Sequence, residues 1–354
     1  MDAAASTQQR LPAARLRRFT AAALAAVGVP KKDAATCAEL MVRADLHGAD
    51  GHGIFRLPQY VRRIKGSAVN VEPRVRIARE AAGMALVDGD NGMGHVVMSF
   101  AARVAIRKAR TAGAAWVGVR NSNHAGPASL YAAMPLEHDM IGMYLAVGNA
   151  NHMAPWGGID LLLSTNPIAI AVPGGKAGPV VLDMATTVAA YGKVKTAAQR
   201  GETMPEGWMI DHHGRPLTDP RRSSEGLLMP IGGYKGYGLA LMFGLLAGTL
   251  NGAAVGSETV DFNADDVTPT NTGHAIVALA ISRFGKLAEF RRRVDRLARE
   301  LRGSRKMPGV ERIWLPGERS RAKFAERSRL GVPVPEPLRA SLARLASELG
   351  IPAL

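Results

Sequence analysis

The chain has 354 residues, 47% hydrophobic and 21% charged, with a formal net charge of +15, which is enough apolar material for a sizeable core and a length suited to two compact domains. Its longest apolar runs, Met140 to Val147 and Leu239 to Leu250, fall short of the roughly 18 residues that a membrane span requires, so no membrane partner is expected. Cys37 is the single cysteine, which rules out an intrachain disulfide or a cysteine-built metal site and fits a reducing, cytoplasmic setting.

The first residues carry Arg10, Arg15, Arg17 and Arg18 with no acidic relief after Asp2. The apolar stretch that follows reads as an amphipathic helix without a cleavage site, so no secretory leader is expected. Leu16, Phe19, Ala23 and Val27 recur at helical spacing. A second helix is expected with Asp33 as its cap and Cys37, Leu40, Met41 and Ala44 on one face. It runs into the Gly-punctuated loop His47-Gly48-Ala49-Asp50-Gly51-His52-Gly53, after which Ile54, Leu57, Val61 and Ile64 resume helical spacing.

Met84 to Asp88 reads as a strand, Val96 to Ala112 as a helix, and Ala115 to Arg120 as a strand ending in Asn121-Ser122-Asn123-His124. Strands are expected at Met140 to Val147, Pro167 to Val172 and Val180 to Met184. Gly238 to Leu250 reads as a buried helix closed by Gly252. Asp211-His212-His213-Gly214 reads as a surface turn without the further ligands a metal needs. His274 to Phe284 is one more strand. The Arg-rich helix after it interleaves Arg291, Arg292, Arg293, Arg296, Arg299 and Arg302 with Glu289, Asp295 and Glu300. That pattern describes a solvated face with i,i+4 ion pairs better than a nucleic-acid stripe. Lys306 to Pro337 is expected as extended chain wrapped over the body, with a final helix from Pro337 to Leu349. No internal repeat is present.

Strand and helix alternation invites a search for a dinucleotide fingerprint, but no Gly-x-Gly-x-x-Gly turn links a strand to a helix; Gly89, Gly92 and Gly94 are in the wrong order. A bound dinucleotide therefore needs another device. Gly232-Gly233-Tyr234-Lys235-Gly236-Tyr237-Gly238 supplies one, since glycines let the backbone approach a phosphate, Lys235 adds charge and a helix N-terminus adds its dipole. Reduction of a 2-oxo acid also needs a proton donor and a carboxylate grip. His52 in its glycine loop and His124 at a strand end are placed as acids, although a loop histidine bonded to nearby backbone is the ordinary alternative. Arg56, four residues after His52, stands one helical turn on and can reach a carboxylate; Tyr60 follows by a further turn.

These residues fall into a pattern that resembles the malate/L-lactate dehydrogenases of the second type, a family that includes sulfolactate, ureidoglycolate and diketogulonate enzymes and cyclic imino-acid reductases. The resemblance covers nearly the whole chain. It rests on Arg43-Ala44-Asp45-Leu46-His47-Gly48, His52-Gly53, Arg56-Leu57, Asn121-Ser122-Asn123-His124, Ala154-Pro155-Trp156-Gly157-Gly158 and Ser164-Thr165-Asn166-Pro167-Ile168-Ala169. It continues through Leu182-Asp183-Met184-Ala185-Thr186, Gly192-Lys193-Val194, the Gly232 to Gly238 loop and Leu315-Pro316-Gly317-Glu318.

The resemblance implies an α/β (α+β) fold that is not Rossmann, in a homodimer. A helical part would be built from both termini (residues 1–120 with 255–354), and a mixed-sheet part (121–254) would bind NAD or NADP. It implies acid/base roles for His52 and His124, one transferring the proton and the other orienting a small carboxylate substrate. Arg56, Tyr60 and Asn123 are the expected substrate contacts. Val180, Val181, Leu182, Asp183, Met184, Ala185, Thr186, Tyr234, Lys235, Gly317 and Glu318 are the expected cofactor contacts. Three positions depart from the pattern: Gly51 where relatives carry serine, Gly148-Asn149-Ala150 where Thr-Asn-Ser is usual, and Gly244 where an acidic residue is common. The function implied is interconversion of a 2-hydroxy acid and its 2-oxo acid. Reduction of cyclic imino acids and a non-catalytic, polyanion-attracted binding protein are the alternatives. The last predicts salt-sensitive DNA binding, and the retained histidines and Lys235 speak against it.

Overall fold

The computed structural model describes residues 9–354, so the first eight residues of the N-terminal basic segment lie outside it. The chain opens with β1 (Arg10–Leu11), α1 (Ala13–Ala26), α2 (Lys31–Leu46) and α3 (Leu57–Lys65). Pro30, not Asp33, stands at the cap position of α2. Asp33 lies within the first turn, because the proline's fixed φ already delivers the chain to the helix start. β2 (Arg76–Ala81), β3 (Met84–Asp88), α4 (Gly94–Ala112) and β4 (Ala114–Ser122) follow. The short α5 (Ser129–Ala132) leads to β5 (Met140–Ala146), β6 (Asn151–Met153), β7 (Leu163–Ser164), β8 (Ile168–Val172) and β9 (Val180–Met184). Next come α6 (Tyr191–Arg200), β10 (Met209–Asp211), β11 (Gly226–Leu228), α7 (Tyr234–Ala247) and β12 (Thr272–Ala280). The last elements are α8 (Leu287–Arg302), α9 (Glu318–Leu330), β13 (Val332–Pro333) and α10 (Glu336–Leu349).

Among the described residues seven strands form the central sheet in the order β2-β3-β4-β12-β5-β8-β9. Only β3 and β4 run parallel within it, and α4 is their crossover, as a parallel pair requires. The sheet is therefore mixed, which agrees with the missing Gly-x-Gly-x-x-Gly turn. It takes strands from both of the parts expected above. Val97, Met98, Ala101 and Ala105 of α4 pack on Val117, Val119 and Ile276 of the sheet, each at most 1% exposed. A second core joins the termini: Leu16, Leu24, Met41 and Leu57 meet Val332, Leu342 and Leu345. β1 pairs with β13 across the same junction.

Three further expectations need correction. Lys306 to Pro337 is not simply extended, because α9 and β13 lie within it; the prolines around α9 mask a charged helix whose buried residues are Glu318 and Arg327 rather than an apolar stripe. The buried helix begins at Tyr234 instead of Gly238, since Gly232 and Gly233, with φ of 60° and 66°, complete the turn before it. The strand expected over His274 to Phe284 runs from Thr272 to Ala280 and gives way to a turn at Ile281–Arg283. Asp211 to Gly214 is the expected surface turn, with Asp211 accepting from the His213 amide at 2.8 Å.

Candidate active site

The loop between α2 and α3 is fixed from below. Asp45, 3% exposed, accepts from the Ile54 amide at 2.9 Å, and burial pushes its carboxyl well above the usual range. A Cβ on Gly53 would fall 1.9 Å from that carboxylate, so only glycine fits beside it. Arg327 of α9 donates to the Asp45 carbonyl at 2.5 Å and to the Asp50 carboxylate. This clamp presents His52 and Arg56. Arg56 donates from Nε to the Gly51 carbonyl at 2.9 Å, and from Nη1 to Gln59 at 2.8 Å and Asn263 at 3.1 Å. Its guanidinium carbon lies 5.1 Å from the centroid of the Phe262 ring. Among the described residues its Nη2 has no hydrogen-bond acceptor, which leaves one arm of the fork for a carboxylate.

His124 arrives from the sheet. Near the end of β4 the chain turns at Asn121 (φ 49°), whose amide donates to Asn271 at 2.8 Å. Asn123 is 5% exposed and donates at 3.0 Å to the carbonyls of Asn91 and Gly92, while its carbonyl oxygen accepts from Thr270 at 3.1 Å. With both ends of its amide engaged by the protein, Asn123 anchors the loop that carries His124. The His124 ring stacks on Phe262, with centroids 4.8 Å apart, and on His52 at 5.6 Å. Its Nδ1 lies 2.6 Å from the Tyr60 hydroxyl.

The structure thus gathers His52, Arg56, Tyr60 and His124, from two distant stretches of sequence, around Phe262. Burial, with Arg56 second, lowers His52 to about 4. Burial, then His52 and Arg56, holds His124 well below its ordinary value. Both rings are neutral at pH 7.

Several neighbours carried no sequence signal. His95, in the first turn of α4, is fully buried; it meets Tyr60 edge-on at 5.6 Å, and neither of its nitrogens is hydrogen-bonded among the described residues. His152 stacks on Tyr191 at 4.0 Å, and the Lys195 ammonium lies 5.2 Å from the same ring. Burial first and Arg56 second lower Lys195, which marks it as a second cation toward the Arg56 side. Proximity in the sequence to Gly192-Lys193-Val194 was the one available hint. At the departing positions, a Cβ on Gly51 would meet nothing within 4 Å, so packing does not force glycine there. Ala150 is 5% exposed, and a Cβ on Gly244 would lie 3.1 Å from the Asn166 amide nitrogen.

The residues expected to hold a dinucleotide converge on β9, the edge strand of the sheet. At one end Val181 donates to the Pro316 carbonyl at 3.1 Å, and Gly317 packs so tightly that a Cβ would lie 2.9 Å from the Val181 oxygen. The Glu318 carboxylate accepts from the Leu315 amide at 2.9 Å and pairs with Arg302; burial opposes its charge, but these partners hold its carboxyl below the usual value. In the middle, Asp183 accepts from the Ser129 amide at 2.9 Å. At the other end Thr186 and its carbonyl bond Thr165 and Ile231, which brings the strand to the loop before Tyr234 and Lys235, both exposed. An open apolar strand edge, a positive-φ glycine pair, an exposed lysine and the N-terminus of a fourteen-residue helix suit an extended dinucleotide.

A family model described as malate/L-lactate dehydrogenase matches residues 11–343. The chain is 38% identical over 357 residues to malate dehydrogenase of Pyrococcus abyssi, covering 98% of this chain and 96% of that one. Among solved structures it is similar to sulfolactate dehydrogenase from Methanocaldococcus jannaschii, with a TM-score of 0.90 and 37% identity over 97% of this chain and 98% of that one. It is also similar to delta1-piperideine-2-carboxylate reductase from Pseudomonas syringae, with a TM-score of 0.83 and 28% identity over 96% and 100% of the two chains.

Proposed function

The chain belongs to the malate/L-lactate dehydrogenase family and is an NAD(P)-dependent oxidoreductase acting on CH–OH groups, and on that premise we propose that it interconverts a small 2-hydroxy acid and its 2-oxo acid, with His124 carrying the proton. The observation that carries this reading is the Tyr60–His124 contact of 2.6 Å beside the free arm of Arg56. When bound, the nicotinamide supplies or accepts the hydride. Residues of this chain supply the rest.

Arg56 takes the substrate carboxylate with its free Nη2, held in aim by Gly51, Gln59 and Asn263. Burial raises the Tyr60 phenol above its ordinary value, so Tyr60 stays protonated, and its oxygen accepts from Nδ1–H of His124. That leaves Nε2 of the neutral imidazole unprotonated and able to take the proton of a substrate hydroxyl. In oxidation the imidazolium that forms keeps its Nδ1 proton toward the Tyr60 oxygen. In reduction Nε2–H of the imidazolium protonates the developing alkoxide and leaves the neutral ring. His52, stacked on His124, orients the reacting oxygen. Lys195 supports a substrate with a second anionic group beyond the one held by Arg56, because two partly desolvated cations that repel each other favour a dianion. The homodimer expected above is part of the same proposal.

The test is a panel of 2-hydroxy acids, 2-oxo acids and cyclic imines with NADH and NADPH. Turnover of oxo acids is expected, with His124→Asn lowering kcat by about 100- to 10,000-fold while nucleotide binding persists. The larger loss in His52→Asn instead would transfer the proton role to His52. Turnover confined to cyclic imines would favour the second reading, to which the likeness to the Pseudomonas syringae reductase lends support. No turnover of anything in the panel would remove both.

A further inference from the structure

The registers of the sheet decide which half of a dinucleotide lies where along β9. Met184 pairs with Ile168, Ile168 with Leu145, Ala146 with His274, and His274 with Val119. The Met184 end of β9 is thus the end at which β4 runs out toward His124. Val180 pairs with Val172 at the opposite end, about 13 Å away at the usual rise per strand residue. The reacting ring has to lie near His124, so the adenosine half points to Val180 and Val181 and to the Leu315–Glu318 turn docked on them.

That turn is overcharged. The single buried carboxylate of Glu318, 6% exposed, faces Arg302 in a close pair and Arg312 and Arg321 at 3.9 Å each. Arg302 is committed to Glu318, and Arg321 to the carbonyls of Pro179 and Ala177. Arg312 and Arg319 are different. Their guanidinium carbons lie 4.0 and 5.5 Å from the centroid of the Trp314 ring, yet neither donates a hydrogen bond among the described residues. Stacking holds the two forks in place while their donors remain unspent, which is the arrangement a phosphate monoester needs.

We propose that Arg312 and Arg319, held over Trp314 at the adenosine end of β9, bind the 2′-phosphate of NADP(H), so that this chain uses NADPH in preference to NADH. The proposal rests on the reading of a dinucleotide along β9 given above. Trp314 also provides its readout. Binding of NADPH and NADH to the full chain is followed by fluorescence at low and high salt, with adenosine 2′,5′-bisphosphate and 5′-AMP as competitors. NADPH is expected to bind at least about tenfold more tightly than NADH. That margin should shrink as salt rises, and the bisphosphate should compete far better than AMP. Arg312→Gln and Arg319→Gln are each expected to weaken NADPH by about tenfold and to leave NADH nearly unchanged. The wild-type ratio and the competitors test the proposal without any variant. Equal affinity for the two nucleotides, or variants that weaken both alike, would overturn it while leaving the dinucleotide reading intact. Binding of neither nucleotide would overturn both.

Discussion

At the scale of single residues, the site works by keeping imidazoles neutral beside a guanidinium. Burial first, and then the nearby Arg56, disfavour a positive charge on His52 and His124. A group whose pKa is depressed stays unprotonated to lower pH, so the base needed for oxidation persists well into the acid range. The kcat/KM of hydroxy-acid oxidation, which reports the free enzyme, is therefore expected to stay level from pH 7.5 down through the range in which an ordinary histidine titrates and to fall only below it. The midpoint should lie well under the 6.5 of an ordinary histidine, in the direction in which burial moves His124. A pH–rate profile with a substrate that does not titrate in this range checks it, and an acid limb centred at 6.5 would contradict the neutral pair. Carboxylate binding to Arg56 offsets the same repulsion, so the limb in kcat should lie at higher pH than the limb in kcat/KM.

At the scale of elements, the loop that carries His52 and Arg56 depends on a helix outside the cluster around Phe262. Arg327 of α9 is 8% exposed and bridges the Asp45 carbonyl and the Asp50 carboxylate, fixing the loop that presents His52 and Arg56. Arg327→Met is expected to cost about 1–3 kcal/mol, less than a fully buried pair because Asp50 is largely exposed. Thermal denaturation reads that loss, and a KM that rises with little change in kcat would place the damage at the Arg56 grip. A variant as stable and as active as the parent would deny the clamp. α9 also marks what the sequence hid. Apolar periodicity located α1, α2, α4 and most strands, because those elements bury aliphatic stripes. α9 buries Glu318 and Arg327 instead, and prolines on both sides make it look extended. β2 is missed for the opposite reason: it is an edge strand with charged, exposed residues, as edges must be to resist pairing. His52, Arg56 and His124 were legible because glycines and strand ends present side chains. His95, His152 and Lys195 were not, since only the fold brings α4, β6 and α6 to the same place.

At the scale of the whole molecule, one surface remains unexplained by a lone chain. α7 is apolar on every side. Ala240, Phe243 and Ala247 face inward, while Met242 at 51%, Leu245 at 42% and Leu239 at 41% exposure face out. Exposed Trp156 and Leu162 adjoin it, and a cavity of about 260 Å³ lined by Leu162, Tyr237, Leu241, Gly244 and Leu245 opens within it. Exposed apolar area of this kind marks an association surface, and the homodimer proposed above gives it an occupant. Electrostatics sharpens the argument. Each copy carries a formal charge of +15, so two copies repel, and association must rest on burying this face. Salt screens the repulsion and leaves the apolar contact in place. The dimer is therefore expected to tighten as ionic strength rises, the reverse of an interface held by ion pairs. Sedimentation across a salt series measures this, and Met242→Lys with Leu245→Glu should yield a folded monomer near 37.5 kDa. Because a Cβ on Gly233 would lie 3.1 Å from the Trp156 ring, the patch abuts the turn that leads to Lys235, and the monomer should also bind dinucleotide more weakly. A parent chain that sediments as a monomer at every salt concentration would break the link between this face and the cofactor turn.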